Sequence, residues 1–309
     1  MASFLALASL TILLQQSPAI SGSVKPAAPD PNAPASSGYV PERVYDAAKK
    51  VFTDFEMMLA DLATADVVFV GEQHDDPNTH RLEAAILEGL KRRKVSPVVS
   101  LEMFERDVQA IVDAYLAGST TEEEMLKASR PWPRYRTDYR PLVELARANS
   151  WPVVAANVPR RIAAAVAKAG QHAIAQLLEE DRRLVARELA CPQDQYFERF
   201  AKSMGDHPAP DQSVEQQRAM TERYYWSQCV KDETMAESIA AAVERSVPVV
   251  HYNGAFHSDF GLGTAERVRR RLPGKRIIVV SMLPVESLDT LSPSGEDLQR
   301  AGYLVYTVK

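Results

Sequence analysis

Val67-Val68-Phe69-Val70-Gly71 is a run of four apolar residues that ends at a glycine. A short continuous apolar run bounded by a turn residue is typical of a strand that is buried on both faces. Runs of the same type recur at 98–101, 152–155, 247–250 and 277–280, mostly with helical stretches between them. Strands of this kind that alternate with helices indicate a largely parallel sheet flanked by helices. The sequence therefore predicts an α/β fold.

The segments around these runs extend the pattern. From Pro41 to Leu62 the apolar spacing predicts an amphipathic helix, and the run 304–308 predicts a last strand at an edge of the sheet. The helix after the first strand should begin near Asp76 and end near Lys91, because acidic caps favour a helix N-terminus and cations favour a C-terminus. The third and fourth strands are far more widely separated than a crossover requires. We expect a helical insertion between them, over about 170–245.

The composition is that of a globular protein with a mild acidic excess. The chain has 309 residues, with 36 Lys and Arg against 41 Asp and Glu, and a formal net charge of −5. It has no basic arm and no block of like charges, which argues against binding to nucleic acid. The sequence contains no GxSxG, P-loop, GxGxxG or HExxH motif. It therefore lacks the usual signatures of serine esterases, NTPases, dinucleotide-binding proteins and zincin metalloproteases.

The N-terminal segment has the composition of an export signal followed by a tether. Residues 1–24 carry no charged side chain, and the apolar run 4–14 is too short to cross a bilayer as a helix. We interpret 1–23 as a signal peptide and the Pro- and Ala-rich stretch 24–38 as a flexible linker. These features predict an exported, periplasmic protein with an α/β domain over 39–309. No cysteine lies near the cleavage region, so the sequence does not imply membrane association through a lipobox.

The two cysteines, Cys191 and Cys229, leave two interpretations open. An oxidising compartment would permit them to pair, and two buried free thiols are the alternative. With two thiols and no CxxC motif, the sequence argues against a cysteine-ligated zinc or redox site.

Polar side chains follow the predicted strands at the edge where ligands bind in open α/β sheets. Gly71-Glu72-Gln73-His74 and Gly254-Ala255-Phe256-His257 share the pattern G-x-x-H, and each comes directly after a strand. Glu72 and Glu102 lie where a strand has just ended, and a carboxylate there is costly unless it is paired or binds a ligand. We therefore predict Glu72, His74, Glu102 and His257 as catalytic residues. Of these, His74, His257 and Glu102 are the predicted ligands of a divalent metal.

The remaining histidines have a structural interpretation, because a lone histidine in a helix, loop or core usually has no ligand. They are His80, His172, His207 and His251. Asn157 follows the third strand and offers both a donor and an acceptor, although it could simply begin a helix. A large share of the aromatic residues falls in the insertion. Most should form its core, and some could line a pocket for a flat ligand.

The order of these blocks resembles the ChaN-like haem-binding uptake family of the Tiki superfamily. The resemblance covers about 65–285 and rests on five blocks, at 71–74, 101–104, 155–159, 228–236 and 253–257. The wider superfamily includes metalloproteases and erythromycin esterases, which share the paired G-x-x-H and glutamate elements.

The resemblance implies an exported haem-binding protein of bacterial iron acquisition, with haem held between the subunits of a homodimer. Family members are often lipoproteins, and the missing lipobox is a departure from that pattern. The superfamily enzymes imply an alternative, which is a metal-dependent hydrolase of protease or esterase type. That enzyme would use the cluster of Glu72, His74, Glu102 and His257 at the carboxyl edge of the sheet.

Haem also requires an axial ligand, and haem iron accepts Tyr, His or Met. Tyr135 and Tyr139 are the candidate ligands, since they lie in the arginine-rich segment 132–140 whose cations could contact the propionates. Asn157 is a further candidate for cofactor binding. The alternative is that both tyrosines are ordinary residues of a surface loop.

Overall fold

The computed structural model describes residues 40–205, 213–245 and 248–309. The predicted signal peptide (1–23), the predicted linker (24–38) and His207 lie outside the described residues. The fold and the site below therefore concern the α/β part of the chain.

Eight strands in the described residues form a single sheet. They are β1 (Glu42–Asp46), β2 (Val51–Thr53), β3 (Val67–Glu72), β4 (Val98–Glu105), β5 (Val153–Asn157), β6 (Val249–Gly254), β7 (Ile277–Val285) and β8 (Tyr303–Val308). Their order across the sheet is β2-β1-β8-β7-β3-β6-β4-β5. The strands from β8 to β5 are parallel, whereas β1 is antiparallel to both of its neighbours. This confirms the predicted α/β fold with a mostly parallel sheet.

Helices connect the strands and flank the sheet. They are α1 (Phe55–Leu62), α2 (Pro77–Arg92), α3 (Gln109–Leu116), α4 (Glu122–Ser129), α5 (Tyr135–Asp138), α6 (Arg140–Ala148), α7 (Arg160–Ala169), α8 (His172–Ala175), α9 (Glu179–Arg182), α10 (Gln195–Gly205), α11 (Val214–Val243), α12 (Gly263–Arg271) and α13 (Asp297–Arg300). The helices from α7 to α11 lie between β5 and β6. They confirm the predicted helical insertion between the third and fourth strands of the sequence pattern.

Strand β3 shows why the apolar runs are continuous. Val68 and Val70 pack in the core that α1 and α2 cover, whereas Val67 and Phe69 pack in the core that α11 and α12 cover. Both faces of the strand are therefore removed from water, and each buried side chain of this size contributes about 1.5–3 kcal/mol. The polar residues at the end of β3 are carried on a rigid strand held from both sides.

The N-terminal region differs from the prediction. The predicted helix from Pro41 to Leu62 is wrong over its first part, because only Phe55–Leu62 is helical and β1 and β2 form a hairpin. The physical reason is a long-range pairing, in which Val44 of β1 lies opposite Val305 of β8 and is buried. The prediction of β8 as an edge strand is wrong for the same reason, since β1 covers it.

A disulfide joins Cys191, which precedes α10, to Cys229 on α11, with a Cα–Cα distance of 5.7 Å. Of the two alternatives that the sequence left open, the structure shows the paired one. The bond fixes the segment before α10 against the helix that packs on the sheet.

Candidate functional site

Three neighbouring parallel strands, in the order β3-β6-β4, bring the four predicted catalytic residues together. Glu72 is the last residue of β3, and His74 follows two positions later. Glu102 lies within β4, and His257 ends a 3-10 helix that follows β6. Because parallel strands end at the same edge of a sheet, the four side chains meet there as two glutamate–histidine pairs.

In the first pair, His257 is held between two buried carboxylates. Its Nε2 lies 3.2 Å from Glu102 Oε1, and its Nδ1 lies 2.7 Å from Oδ1 of Asp232 on α11. Asp232 also accepts hydrogen bonds from the hydroxyls of Tyr196, at 2.9 Å, and Thr264, at 2.8 Å. Both ring nitrogens are thus engaged, so the orientation of the His257 ring is fixed.

The charges of this pair follow from its burial and its partners. Burial alone would lower the pKa of His257, but Glu102 and Asp232 outweigh burial and raise that pKa to about 10. Burial would raise the pKa of Glu102, but His257 holds it well below its usual range. At neutral pH His257 is therefore an imidazolium that faces the ionised carboxylate of Glu102.

The second pair reaches solvent. His74 Nδ1 lies 2.5 Å from Glu72 Oε1, and the hydroxyl of Tyr139 donates to the same oxygen at 2.9 Å. The His74 side chain is 48% exposed, whereas Glu72 is buried, and the imidazole ring makes an edge contact with Trp132. With Nδ1 on Glu72, Nε2 is the ring nitrogen left for a ligand, and it lies next to Gly254 of β6.

The two pairs lie against one another. A Cβ on Gly254 of β6 would lie 2.6 Å from Nε2 of His74, so the imidazole ring packs closely on that strand. Burial opposes protonation of His74, but Glu72 and Glu102 raise its pKa above the ordinary value. Burial likewise opposes ionisation of Glu72, but hydrogen bonds from His74 and His80 lower its pKa to about 2. Glu72 is therefore a carboxylate at neutral pH.

His80 contacts the opposite side of the Glu72 carboxylate, although a structural role was predicted for it. Its Nδ1 lies 3.2 Å from Glu72 Oε2 and 3.1 Å from Oε2 of Glu83. Asp76 caps the N-terminus of α2, and this cap fixes where the helix begins after β3. A sequence signal for His80 and Glu83 does exist. Once the cap at Asp76 fixes the start of α2, residues three positions apart lie on the same face of the helix, so His80 and Glu83 are neighbours.

Two other histidines lie outside the glutamate–histidine pairs. His251 is buried in β6 and its Nδ1 is 2.9 Å from the hydroxyl of Ser100, and burial lowers the pKa of His251 to about 3. The ring is therefore neutral at physiological pH. His172 is exposed on the short helix α8.

The structure does not support direct haem contact by Tyr135, Tyr139 or Asn157. Both tyrosine rings are buried in the core rather than displayed on a surface loop, because α5 and α6 pack them inward. The Tyr139 hydroxyl is bound to Glu72, and Asn157 uses its amide on the backbone of Glu102 and Val158. Tyr135, Tyr139 and Asn157 are all buried, so none of these side chains is available to a ligand at the surface.

Partly exposed aromatic side chains border the site on the side of His257. Phe256 packs against Tyr196 and Phe200 of α10, with ring centroids 5.2 and 6.2 Å apart. Phe197, Phe200 and Phe256 are each partly exposed. With Trp132 on the side of His74, they supply apolar surface beside the two glutamate–histidine pairs.

Comparison with known proteins gives one family. The family model described as haem-binding uptake, Tiki superfamily, ChaN matches residues 58–268. No curated protein matches the chain significantly. Among the described residues, every helix is too short or too polar to cross a membrane.

Among solved structures, one shows similarity of fold at a TM-score above 0.5. ChaN of Campylobacter jejuni with cofacial haem has 16% identity and a TM-score of 0.64, over 87% of this chain and 97% of that chain. A mutant of the erythromycin esterase EreC in its open conformation has 13% identity and a TM-score of 0.45, over 87% and 83%. A Bacillus cereus protein has 13% identity and a TM-score of 0.46, over 78% and 76%.

Proposed function

The chain belongs to the haem-binding uptake family of the Tiki superfamily, and on that premise we propose that it is a haem-binding protein of iron acquisition. The observation that carries the proposal is the match of the family model over residues 58–268, which includes both glutamate–histidine pairs. The structural likeness to ChaN supports the fold on which such a site would be built.

The side chains at the sheet edge fit haem. His74 is half exposed, its Nδ1 is bound to Glu72, and its Nε2 is the remaining nitrogen. Imidazole is a common axial ligand of haem iron, and a carboxylate on the other ring nitrogen raises its basicity. Trp132 would supply an apolar wall beside that ligand, and the exposed Arg136 could contact a propionate. His74 thus replaces the two tyrosines as the proposed ligand.

The experiment is a titration of ferric haem into the purified protein, followed by its Soret absorption. We expect one saturable Soret shift, with affinity at least about tenfold weaker in His74→Ala because the axial ligand is removed. His172→Ala is the matched control, since His172 is exposed on α8. A wild-type protein that shows no Soret shift, or a His74→Ala variant that binds haem like the control, would contradict the proposal.

Export and dimerisation belong to the same proposal. The uncharged apolar segment 1–24 supports export, and so does the Cys191–Cys229 disulfide, because disulfides persist in oxidising compartments. Mass spectrometry of the protein from a periplasmic fraction should show a new N-terminus near residue 24.

Sedimentation with and without haem tests the homodimer, and a monomer in both states would exclude it.

A metal-dependent hydrolase is the second candidate, favoured by the His257 pair. An imidazolium fixed between Glu102 and Asp232 beside a second, solvent-facing histidine could act in acid–base chemistry. It ranks below haem binding, because the family model describes haem uptake. Hydrolysis of ester or peptide substrates that is abolished by both His74→Ala and Glu102→Gln would favour it.

A further inference from the structure

A cluster of buried polar side chains lies behind His74, on the inner side of Glu72. It comprises Glu72, His80, Glu83 and Asp138, and all four side chains are buried. We call these residues the inner cluster. It differs from the metal ligands predicted from the sequence, since it contains none of His74, Glu102 and His257.

The contacts of the inner cluster converge on one nitrogen. His80 Nδ1 lies 3.2 Å from Glu72 Oε2 and 3.1 Å from Glu83 Oε2. A ring nitrogen carries at most one proton and cannot serve both carboxylates well. Glu72 Oε2 therefore shares its nitrogen contact with Glu83, and within the described residues Oε1 of Glu83 has no hydrogen-bond partner. A buried carboxylate oxygen without a partner is costly, so this atom points to a ligand.

The other nitrogen of His80 is placed as in a metal-binding histidine. Nε2 lies 3.2 Å from the carbonyl oxygen of His74 and 3.4 Å from Asp138 Oδ2. When an ion is bound, the ring proton would lie on Nε2 and be donated to these oxygens, which leaves the lone pair of Nδ1 for the ion. Tyr139 makes an edge contact with the His80 ring and donates to Glu72, so both side chains are held in position.

From this geometry we infer that Glu72, His80 and Glu83 bind a divalent transition-metal ion such as Zn²⁺ or Mn²⁺. One ligand atom from each residue can be chosen so that all three lie within 4.8 Å of one another. Ligand atoms about 2.1 Å from one ion are separated by about 3.0–3.4 Å at octahedral or tetrahedral angles, which matches the contacts of Nδ1. Two carboxylates balance the charge of the ion, and one imidazole favours a transition metal over Mg²⁺ or Ca²⁺.

The ion would lie inside the protein and not on the surface proposed for haem. Glu72 is shared, because its Oε1 contacts His74 and its Oε2 faces the inner cluster. The half-exposed His74 lies directly over Glu72, so the route between solvent and the inner cluster is short. The inference therefore goes beyond haem binding and does not depend on it.

The test measures metal content directly. Full-length protein is stripped with a chelator, reloaded with Zn²⁺ or Mn²⁺, desalted and analysed by mass spectrometry. We expect one ion per chain in the wild type and an affinity lowered at least about tenfold in Glu83→Gln, which keeps the shape of the side chain but loses a ligand charge. Glu105→Gln is the matched control, because Glu105 is also buried but pairs with Arg130 and Arg160 outside the inner cluster. Glu102→Gln tests the alternative site.

Two results would overturn the inference. One is a folded wild-type protein that retains no ion. The other is the reverse pattern, with metal lost in Glu102→Gln and kept in Glu83→Gln, which would place the ion among His74, Glu102 and His257. If Glu83→Gln does not fold, Glu83→Asp is the second variant, since it keeps the charge but withdraws the carboxylate by one methylene and should also lower the affinity for the ion. Protein that binds the ion but gives no Soret shift would keep this inference and reject the proposed function.

Discussion

At the scale of single residues, Gly254 determines where the His74 ring can lie. Its backbone φ of −55° is one that alanine adopts without strain, so a substitution there changes space rather than backbone conformation. An added Cβ would lie 2.6 Å from His74 Nε2 and 2.9 Å from Cε1. The His74 ring would have to move rather than the strand, because the ring is half exposed whereas β6 is buried on both faces.

We expect Gly254→Ala to weaken haem binding by at least about tenfold, because it displaces the proposed ligand, while the free energy of unfolding changes little. Soret titration and urea denaturation measure the two effects. Gly295→Ala is the control, since no atom lies within 4 Å of a Cβ at that position. Equal haem affinity in both variants would show that the position of His74 does not matter for haem.

His257 makes the stability of the protein depend on pH. Its pKa rises from 6.5 to about 10 on folding, so the native state holds a proton that the unfolded state releases. The stability from this proton is fully present below pH 6.5 and is lost as pH rises through about 10, with a slope of up to about 1.4 kcal/mol per pH unit.

We expect Asp232→Asn to lower the pKa of His257, because it removes one of the two carboxylates on the ring. The loss of stability with rising pH should still begin near pH 6.5, but it should be complete at a lower pH than in the wild type and be smaller in total. NMR titration of the imidazole protons, together with urea denaturation between pH 6 and 10, measures both changes. A wild-type His257 that titrates near 6.5 would contradict this account.

The residues that could be predicted from sequence are those whose position follows from a strand end. Glu72, His74, Glu102 and His257 each lie at or just after an apolar run, so the carboxyl edge of a parallel sheet places them together. Asp232 and Tyr196 could not be predicted. They lie on helices of the insertion, and only the packing of α10 and α11 brings them to His257.

At the scale of elements, the hairpin of β1 and β2 shows where local pattern fails. The segment between Pro41 and Thr53 contains helix-favouring Ala and Lys residues with apolar residues at helical spacing. Its conformation is set instead by β8, which lies about 260 positions later in the chain. Helix α2 was predictable because its cap, its Pro and its C-terminal cations are all local.

The Cys191–Cys229 disulfide should stabilise α10 and α11 measurably. It closes a loop with a sequence separation of 38, for which loop entropy predicts about 3–4 kcal/mol. Urea denaturation of the wild type with and without reductant, compared with a Cys191→Ser, Cys229→Ala double variant, measures this contribution. The variant should be less stable than the oxidised wild type and insensitive to reductant, and equal stability would show that the bond contributes nothing.

At the scale of the whole molecule, the order of the strands could not be predicted from the sequence. The pattern shows that strands are parallel and buried, but β3 neighbours β6 and β7, which lie far along the chain. Chain order would separate the first and last G-x-x-H motifs, whereas the sheet puts β3 and β6 in register with Glu72 opposite Gly254. The site therefore exists only in the assembled sheet, and fragments that lack β6 should lack it.

The disulfide also changes what a broken peptide bond does to the molecule. Residues 191 to 229 and the sulfur bridge form a closed covalent ring that contains α10 and the first part of α11. A protease that cuts once inside this ring produces a new pair of ends but no separate fragment, because both pieces remain joined through sulfur. A single cut outside the ring divides the chain in two. In an oxidising compartment, a single nick between residues 191 and 229 would thus leave the two halves of the sheet in one covalent molecule.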